Sequence, residues 1–283
     1  MDLDVRRLSP ACGGEISGVD LRQSLDAQTV AAIHAAWHEH LVILFRDQDI
    51  SDLDQVRFIQ SLGTVGEYMR PKQLREREYH PAVMMITNIR ENGEPIGAIP
   101  DGEMMFHTDT SYDASPHDGT SLFALEVTED GGHTLFSNQY MVHDSLPEAV
   151  KTRLAGREAV HAFEFGTTVK AKRRYDRSKG AHHPHPVFKR HPATGREAVF
   201  VCPLLTEEII DFPEDEGEEL LQTIYAYQER PEFIYEHIWR KGDFLLWDNR
   251  CVMHARTDFP RDQIRQMRRV TLHQEDLPGR YQS

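Results

Sequence analysis

Cysteine is scarce in this chain, with three in 283 residues. Cys12, Cys202 and Cys251 are widely spaced and form no CxxC pair, which excludes a disulfide framework and a thiolate zinc site and fits a reducing compartment. No run approaches the roughly eighteen apolar residues of a membrane span. Met1-Asp2-Leu3-Asp4 lacks the basic start and apolar stretch of a signal peptide. A cytoplasmic protein with no membrane partner is therefore expected. A basic surplus is also missing: the formal net charge is −14, which argues against a nucleic-acid partner. Nor is there a low-complexity linker or internal repeat, so residues 1–283 are expected to form one domain. A homo-oligomer, dimer or tetramer, is the expected assembly.

What is present begins with two helical patterns. Ser24 or Asp26 can cap a helix carrying Val30, Ile33 and Trp37. His34, His38 and His40 on or after it are read as surface histidines, because no carboxylate motif accompanies them. Leu41–Phe45 is an apolar run of strand length. Ser51-Asp52-Leu53-Asp54 fits a capping box opening a second helix through Ile59 and Leu62. From residue 83 short β-rich runs dominate: Val83–Thr87, Ser121–Val127, Ala198–Cys202, Phe244–Trp247 and Arg269–His273, interrupted by a helix at Glu218–Gln228. Many short strands with few helices predict a mainly β sandwich or barrel, with the N-terminal helices on one outer face. Phe163–Pro186 reads as a long polar loop of the kind that closes over a site. It carries Lys170, Lys172, Arg173, Arg174, Arg177 and Lys179, a solvated charge run or an attractor of anions. Within it, His182-His183-Pro184-His185 is read as a turn entering a strand, given its prolines.

The chemistry centres on Met105-Phe106-His107-Thr108-Asp109. A histidine and a carboxylate two apart on a strand project from one face. With one distant histidine they form the 2-His-1-carboxylate triad of non-haem Fe(II) oxygenases. His254, in Trp247-Asp248-Asn249-Arg250-Cys251-Val252-Met253-His254, is the candidate third ligand. In a chain with 16 histidines and 46 acidic residues, His-x-Asp arises by chance, so its surroundings decide. Such a triad leaves three metal positions open, which suits a bidentate 2-oxo acid such as 2-oxoglutarate plus O2. The far carboxylate of 2-oxoglutarate then needs a cation. Arg265 follows His254 by eleven residues, across a turn at Asp258–Asp262, and a returning strand would bring its planar fork back to the metal. Arg268 and Arg269 follow closely, and spacing alone leaves open which arginine points inward.

Taken in order, these segments resemble the taurine dioxygenase (TauD/TfdA) family of Fe(II)/2-oxoglutarate-dependent enzymes, over nearly the whole chain. Gly14–Leu21 resembles its N-terminal signature, Phe106-His107-Thr108-Asp109 its Trp-His-Thr-Asp motif, and Gly131–Phe136 its Gly-Gly-Asp-Thr segment. His185-Pro186-Val187, His191-Pro192 and Gly195-Arg196 are similar to its His-Pro-rich middle, and Trp247–Arg250 with His254 to its C-terminal stretch. The resemblance implies a double-stranded β-helix (jelly-roll, cupin-like) core and Fe(II) on His107, Asp109 and His254. It implies Thr134 and Arg265 on the distal carboxylate of 2-oxoglutarate, and a substrate anion at Arg269. His133 replaces the family's usual aspartate, Cys202 stands where asparagine is frequent, and Tyr68 stands where taurine enzymes carry a substrate-binding histidine. The implied activity is hydroxylation of a small anionic organic molecule (sulfonate, sulfate ester, phenoxy acid or amino-acid derivative), with succinate and CO2 as co-products. Asp109 is intact where a halogenase of this chemistry would need a non-liganding residue. Two alternatives stand beside this reading. One is a cupin-like metalloprotein with hydrolase or isomerase activity, which leaves Thr134 and Arg265 without a task. The other is a non-catalytic binding protein.

Overall fold

The computed structural model describes residues 3–66, 79–99, 101–163, 168–169 and 180–274. In chain order, β1 (Asp4–Arg7) and β2 (Gly14–Ser17) precede α1 (Ala27–His40), β3 (Val42–Phe45) and α2 (Asp52–Leu62). Then come β4 (Thr64–Val65), β5 (Met84–Thr87), β6 (Arg90–Glu91), β7 (Glu94–Pro95), β8 (Met104–His107), β9 (Gly119–Glu126) and β10 (Thr134–Asn138). The middle holds α3 (Gln139–Ser145), α4 (Glu148–Leu154), β11 (Glu158–Ala162), β12 (His182–Pro186), β13 (Phe188–Arg190), β14 (Glu197–Val199) and β15 (Thr206–Ile209). Last are α5 (Glu214–Gln228), β16 (Ile234–His237), β17 (Phe244–Asp248), β18 (Val252–Arg256) and β19 (Gln266–His273).

Eight strands form the major sheet, in the order β1-β2-β3-β17-β9-β19-β4 with β5 also on β19, and β16-β10-β18-β8 form the minor sheet. Strand alternation assigns the faces. On β17, Phe244 and Leu246 pack with Ile33, Trp37, Phe58 and Ile59 of the two N-terminal helices. Leu245 and Trp247 point the other way, to Phe136, Tyr235 and Val252 of the minor sheet. On β3, Ile43 and Phe45 go to the helices, and Val42 and Leu44 to the inter-sheet core. Both faces of the major sheet are thus buried, which is why these strands read as continuous apolar runs rather than alternating ones. The two sheets make the jelly roll expected from the sequence, with α1 and α2 covering one outer face.

Local chemistry fixes the helix starts. Asp26 accepts from the Thr29 backbone N–H at 2.7 Å, and Ser51 and Asp54 form the reciprocal capping box. Three readings need correction. The helix expected at Glu218–Gln228 begins at Glu214, directly after Pro213. α3 and α4, seven residues each, are too short to show periodicity. His182–Pro186 is itself a strand, where a turn was expected. It lies at the edge of a three-stranded sheet, order β12-β11-β15, where prolines cost no ladder bond on the open side. Most of the supposed lid, with Lys170 and its basic neighbours, lies outside the described residues.

Candidate active site

His107 and His254 meet across the minor sheet. β8 pairs with β18, His107 opposite His254, and both rings face the inter-sheet space with centroids 4.1 Å apart. The His107 Nδ1 lies 2.9 Å from the Met105 carbonyl. A carbonyl only accepts, so Nδ1 carries the proton and Nε2 presents its lone pair inward. His254 is flanked by Trp247 at 4.7 Å and Phe136 at 6.3 Å between ring centroids, and its buried Nδ1 has no hydrogen-bond partner among the described residues. Burial pushes both imidazoles below their ordinary pKa, toward the neutral form a metal needs.

Asp109 completes the cluster from a different element. The strand ends at His107, and Asp109 lies in the turn beyond it, so the shared strand face expected for the pair accounts for His107 alone. The carboxylate is aimed by its own contacts. Oδ2 accepts from the Thr120 hydroxyl at 2.6 Å and pairs with the Arg269 guanidinium at 2.9 Å. Oδ1 faces His107 Nε2 at 3.9 Å, too long for a hydrogen bond. Burial raises this carboxyl's pKa, but the charges of Arg269, His254 and His107 and the Thr120 bond outweigh it and hold it below the usual carboxylate range. One donor atom from each of His107, Asp109 and His254 lies within 4.8 Å of the other two. Two neutral imidazoles and one ionised carboxylate converging on a point suit a divalent cation.

His38, His191 and Asp248 form a second buried group of the same composition, and their hydrogen bonds set it apart. His191 Nδ1 accepts the backbone N–H groups of Ala193 and Thr194, so its proton sits on Nε2 and goes to Asp248 at 3.0 Å. Arg250 grips both oxygens of Asp248 through its Nε and Nη2. No lone pair of His191 and no free carboxylate oxygen is left for a metal, and the guanidinium already supplies the counter-charge. This group is a structural clasp. It also corrects the reading of His38 as a surface residue: its Nε2 is buried.

The arginines separate by strand alternation. Arg268 points to the helix side, donating to the Ile50 carbonyl and lying over Phe123; Arg269 points to the metal cluster. Arg265 precedes β19. Instead of returning on a strand beside β18, the chain crosses from the minor sheet to the major sheet between His254 and Arg265. Arg265 is 3% exposed. Its backbone N–H donates to Asn88 Oδ1 and its Nε to the Gly132 carbonyl at 3.1 Å. Among the described residues no carboxylate pairs with it. Burial, with the Arg256 charge nearby, pushes its pKa down to about 9. A buried cation without an anion is costly, so Arg265 is a residue that could hold an anionic ligand. Thr134 is buried on β10, and its Oγ1 accepts from the Trp239 indole at 2.9 Å. An indole only donates, so the threonine O–H stays free to donate to a ligand. Gly132 has φ +64°, and a Cβ there would meet the Arg265 side chain at 3.2 Å. Gly132 thus shapes the seat of the arginine.

Arg256, also buried, donates to the carbonyls of Ile99, Asp101 and Gly102 and pins the loop entering β8. His133 pairs instead with Glu236 at 2.7 Å. Tyr68 lies outside the described residues. Thr120, Asn249 and Trp239 escaped the sequence reading as site residues. Asn249 was visible inside the Trp-Asp-Asn-Arg motif, but nothing in the sequence pairs it with Thr120.

A jelly roll with His-x-Asp on one strand end, a distant histidine and a buried arginine defines a non-haem iron dioxygenase that uses 2-oxoglutarate. The family model described as "Taurine catabolism dioxygenase TauD, TfdA family" matches residues 4–271, and the chain belongs to this family. It is 30% identical to pentalenolactone F synthase of Streptomyces avermitilis over 95% of this chain and 93% of that protein. It is 25% identical to the alpha-ketoglutarate-dependent 2,4-dichlorophenoxyacetate dioxygenase of Burkholderia sp. (strain RASC), over 96% and 94%. The crystal structure of a taurine dioxygenase from Burkholderia xenovorans superposes with a TM-score of 0.80 at 28% identity, covering 96% of this chain and 91% of that one. The protein is thus an oxidoreductase whose cofactor is Fe(II) and whose co-substrate is 2-oxoglutarate.

Proposed function

We propose that the protein hydroxylates a small organic anion, with Fe(II) held by His107, Asp109 and His254. In this reading Thr134 and Arg265 hold the distal carboxylate of 2-oxoglutarate. The observation that carries it is the buried Arg265, paired with no carboxylate among the described residues and bonded to the Gly132 carbonyl just before β10, the strand that carries Thr134 and whose Phe136 is opposite His254; a hydrolase or a plain binding protein leaves it unexplained. Bound Fe(II) and 2-oxoglutarate would supply the oxidising chemistry, by which O2, 2-oxoglutarate and the substrate give succinate, CO2 and the hydroxylated substrate. The chain's residues do the positioning. His107 keeps its proton on Nδ1 and its lone pair inward, while Asp109 offers one oxygen. Arg265 and the Thr134 hydroxyl give the co-substrate's far end three donors, two of them in a planar fork.

Arg269 supports an anionic substrate. It is partly exposed beside the metal cluster, and only part of its guanidinium is engaged by Asp109 and the Met84 sulfur. Tyr112 lies within electrostatic reach of Arg269 and Asp109 and stacks on Phe163 at 4.7 Å, offering an apolar wall for the substrate's body. A role for Tyr68 at the substrate is part of the same proposal. Phenoxy acids and sulfate esters combine such an anion with an apolar body, and relatives of this chain include a 2,4-dichlorophenoxyacetate dioxygenase and an alkylsulfatase. We further take residues 1–283 as one domain of a cytoplasmic homo-oligomer with no nucleic-acid or membrane partner. Three buried free cysteines and the acidic charge support this, and no helix among the described residues is long and apolar enough to cross a membrane. The test is Fe(II)-dependent succinate formation across phenoxy acids, sulfate esters, sulfonates and amino-acid derivatives. Substrate-stimulated turnover is expected, and its absence across the panel in iron-loaded protein refutes the reading.

A further inference from the structure

We infer that Trp247, Asn249 and Thr120 form a one-way hydrogen-bond relay that makes Asp109 a single-oxygen metal ligand. The inference rests on the proposed ligand set of His107, Asp109 and His254. The Trp247 indole Nε1 donates to Asn249 Oδ1 at 2.9 Å. The Asn249 Nδ2 donates to Thr120 Oγ1 at 2.9 Å. The Thr120 hydroxyl donates to Asp109 Oδ2 at 2.6 Å.

Chemistry forces each direction. An indole nitrogen can only donate, so the amide must turn its oxygen to Trp247 and its NH2 to Thr120. That NH2 cannot accept, so the threonine's one hydrogen has a single use, the carboxylate. Thr120 is fully buried and Asn249 is 2% exposed, so water does not compete. The backbone holds both ends. Trp247 is opposite Thr120 in the β17–β9 register, and the Asn249 N–H donates to the Asp118 carbonyl at 2.9 Å. The Asp248–Arg250–His191 clasp fixes the turn that carries Asn249.

The consequence falls on the metal. Oδ2 receives Thr120 and Arg269 together, which commits its lone pairs and leaves Oδ1 facing His107 Nε2. A carboxylate so held gives one oxygen, and three positions stay open for 2-oxoglutarate and O2. Without the relay it can rotate, present both oxygens and take a position from the co-substrate. Thr120, Asn249 and Trp247 are therefore positioning residues acting through Asp109.

The experiment is calorimetric titration of metal-free protein with Mn(II), followed by titration of the Mn(II) protein with 2-oxoglutarate. Near-ultraviolet circular dichroism reports the fold of each variant. Thr120→Val and Asn249→Leu are expected to weaken Mn(II) binding by about tenfold or more, as loss of an outer partner of a ligand does. Both should also weaken 2-oxoglutarate binding to the Mn(II) form. Thr120→Ser keeps the hydroxyl and is expected to stay within about threefold of the wild type, against that tenfold scale. Should Thr120→Val fail to fold, Asn249→Leu decides, because it leaves the Thr120–Asp109 pair in place and removes only its orientation. Wild-type Mn(II) affinity in the folded relay variants, or equal loss in Thr120→Ser and Thr120→Val, overturns the relay. A wild-type protein that takes up no Mn(II) refutes the ligand assignment itself.

Discussion

Replacing Arg265 with methionine should push stability and co-substrate binding in opposite directions. The guanidinium is buried, its Nε is committed to the Gly132 carbonyl, and no acid among the described residues balances its charge. In the proposed function its two remaining nitrogens serve as the fork for the distal carboxylate of 2-oxoglutarate. Removing one partner of a buried, hydrogen-bonded charge pair costs about 2–5 kcal/mol of binding. At 1.4 kcal/mol per decade this is a loss of about 30- to 4,000-fold in 2-oxoglutarate affinity. In the ligand-free protein the same change removes an unpaired buried cation. Replacing buried charge by an apolar side chain of similar reach is neutral or stabilising by about 1–4 kcal/mol, at roughly 2–4 °C in Tm per kcal/mol. Thermal unfolding of wild-type and Arg265→Met protein, each with Mn(II), with and without 2-oxoglutarate, reads both effects. The wild type should rise in Tm on adding 2-oxoglutarate. The variant should start no lower and show no rise. A variant with a lower starting Tm and an undiminished response to 2-oxoglutarate refutes the assignment of Arg265.

Further outcomes follow from neighbouring contacts. Gly132→Ala places a Cβ at a positive φ and against Arg265; destabilisation of about 1–2 kcal/mol in urea unfolding is expected, with a raised KM for 2-oxoglutarate. Asp248→Asn breaks a buried carboxylate–arginine pair and should cost about 3–5 kcal/mol at pH 7. Asp248 titrates below its ordinary value: burial alone would raise it, but Arg250 and His191 more than compensate. Its stabilising contribution is therefore present above the unfolded carboxyl's pKa of about 4 and is lost as pH falls toward the depressed folded value. Unfolding curves from pH 7 down to 3 should show the wild type losing this advantage over Asp248→Asn; a constant gap contradicts it. His254→Ala should abolish Fe(II)-dependent succinate formation while the protein stays folded by circular dichroism.

Much of this was legible in the sequence because it is local. Continuous apolar runs at Leu41–Phe45 and Phe244–Trp247 belong to strands buried on both faces, and Ser51 with Asp54 is a helix start that needs only four residues. His107, Asp109, His254 and Thr134 stand in recognisable motifs, and Arg265 was singled out by its spacing after His254. Non-local geometry was not legible. Asp109 lies past the end of its strand and takes its orientation from Thr120, a residue with no motif of its own. The crossing between sheets that delivers Arg265 looks, in one dimension, like a turn and a returning strand. Prolines in His182–Pro186 argued against a strand because propensity ignores which edge of a sheet is open. His38 looked like a surface residue on its helix, since the burying partners, His191 and Asp248, are more than 150 positions away.

The central claim is that His107, Asp109 and His254 bind Fe(II) in a way that leaves room for chelating 2-oxoglutarate. It is tested most directly without any substrate, by anaerobic visible absorption of the protein with one equivalent of Fe(II) as 2-oxoglutarate is added. A weak charge-transfer band should saturate at one 2-oxoglutarate per chain in the wild type and be absent in His254→Ala. No band from folded wild-type protein, or an equal band in His254→Ala, contradicts the account.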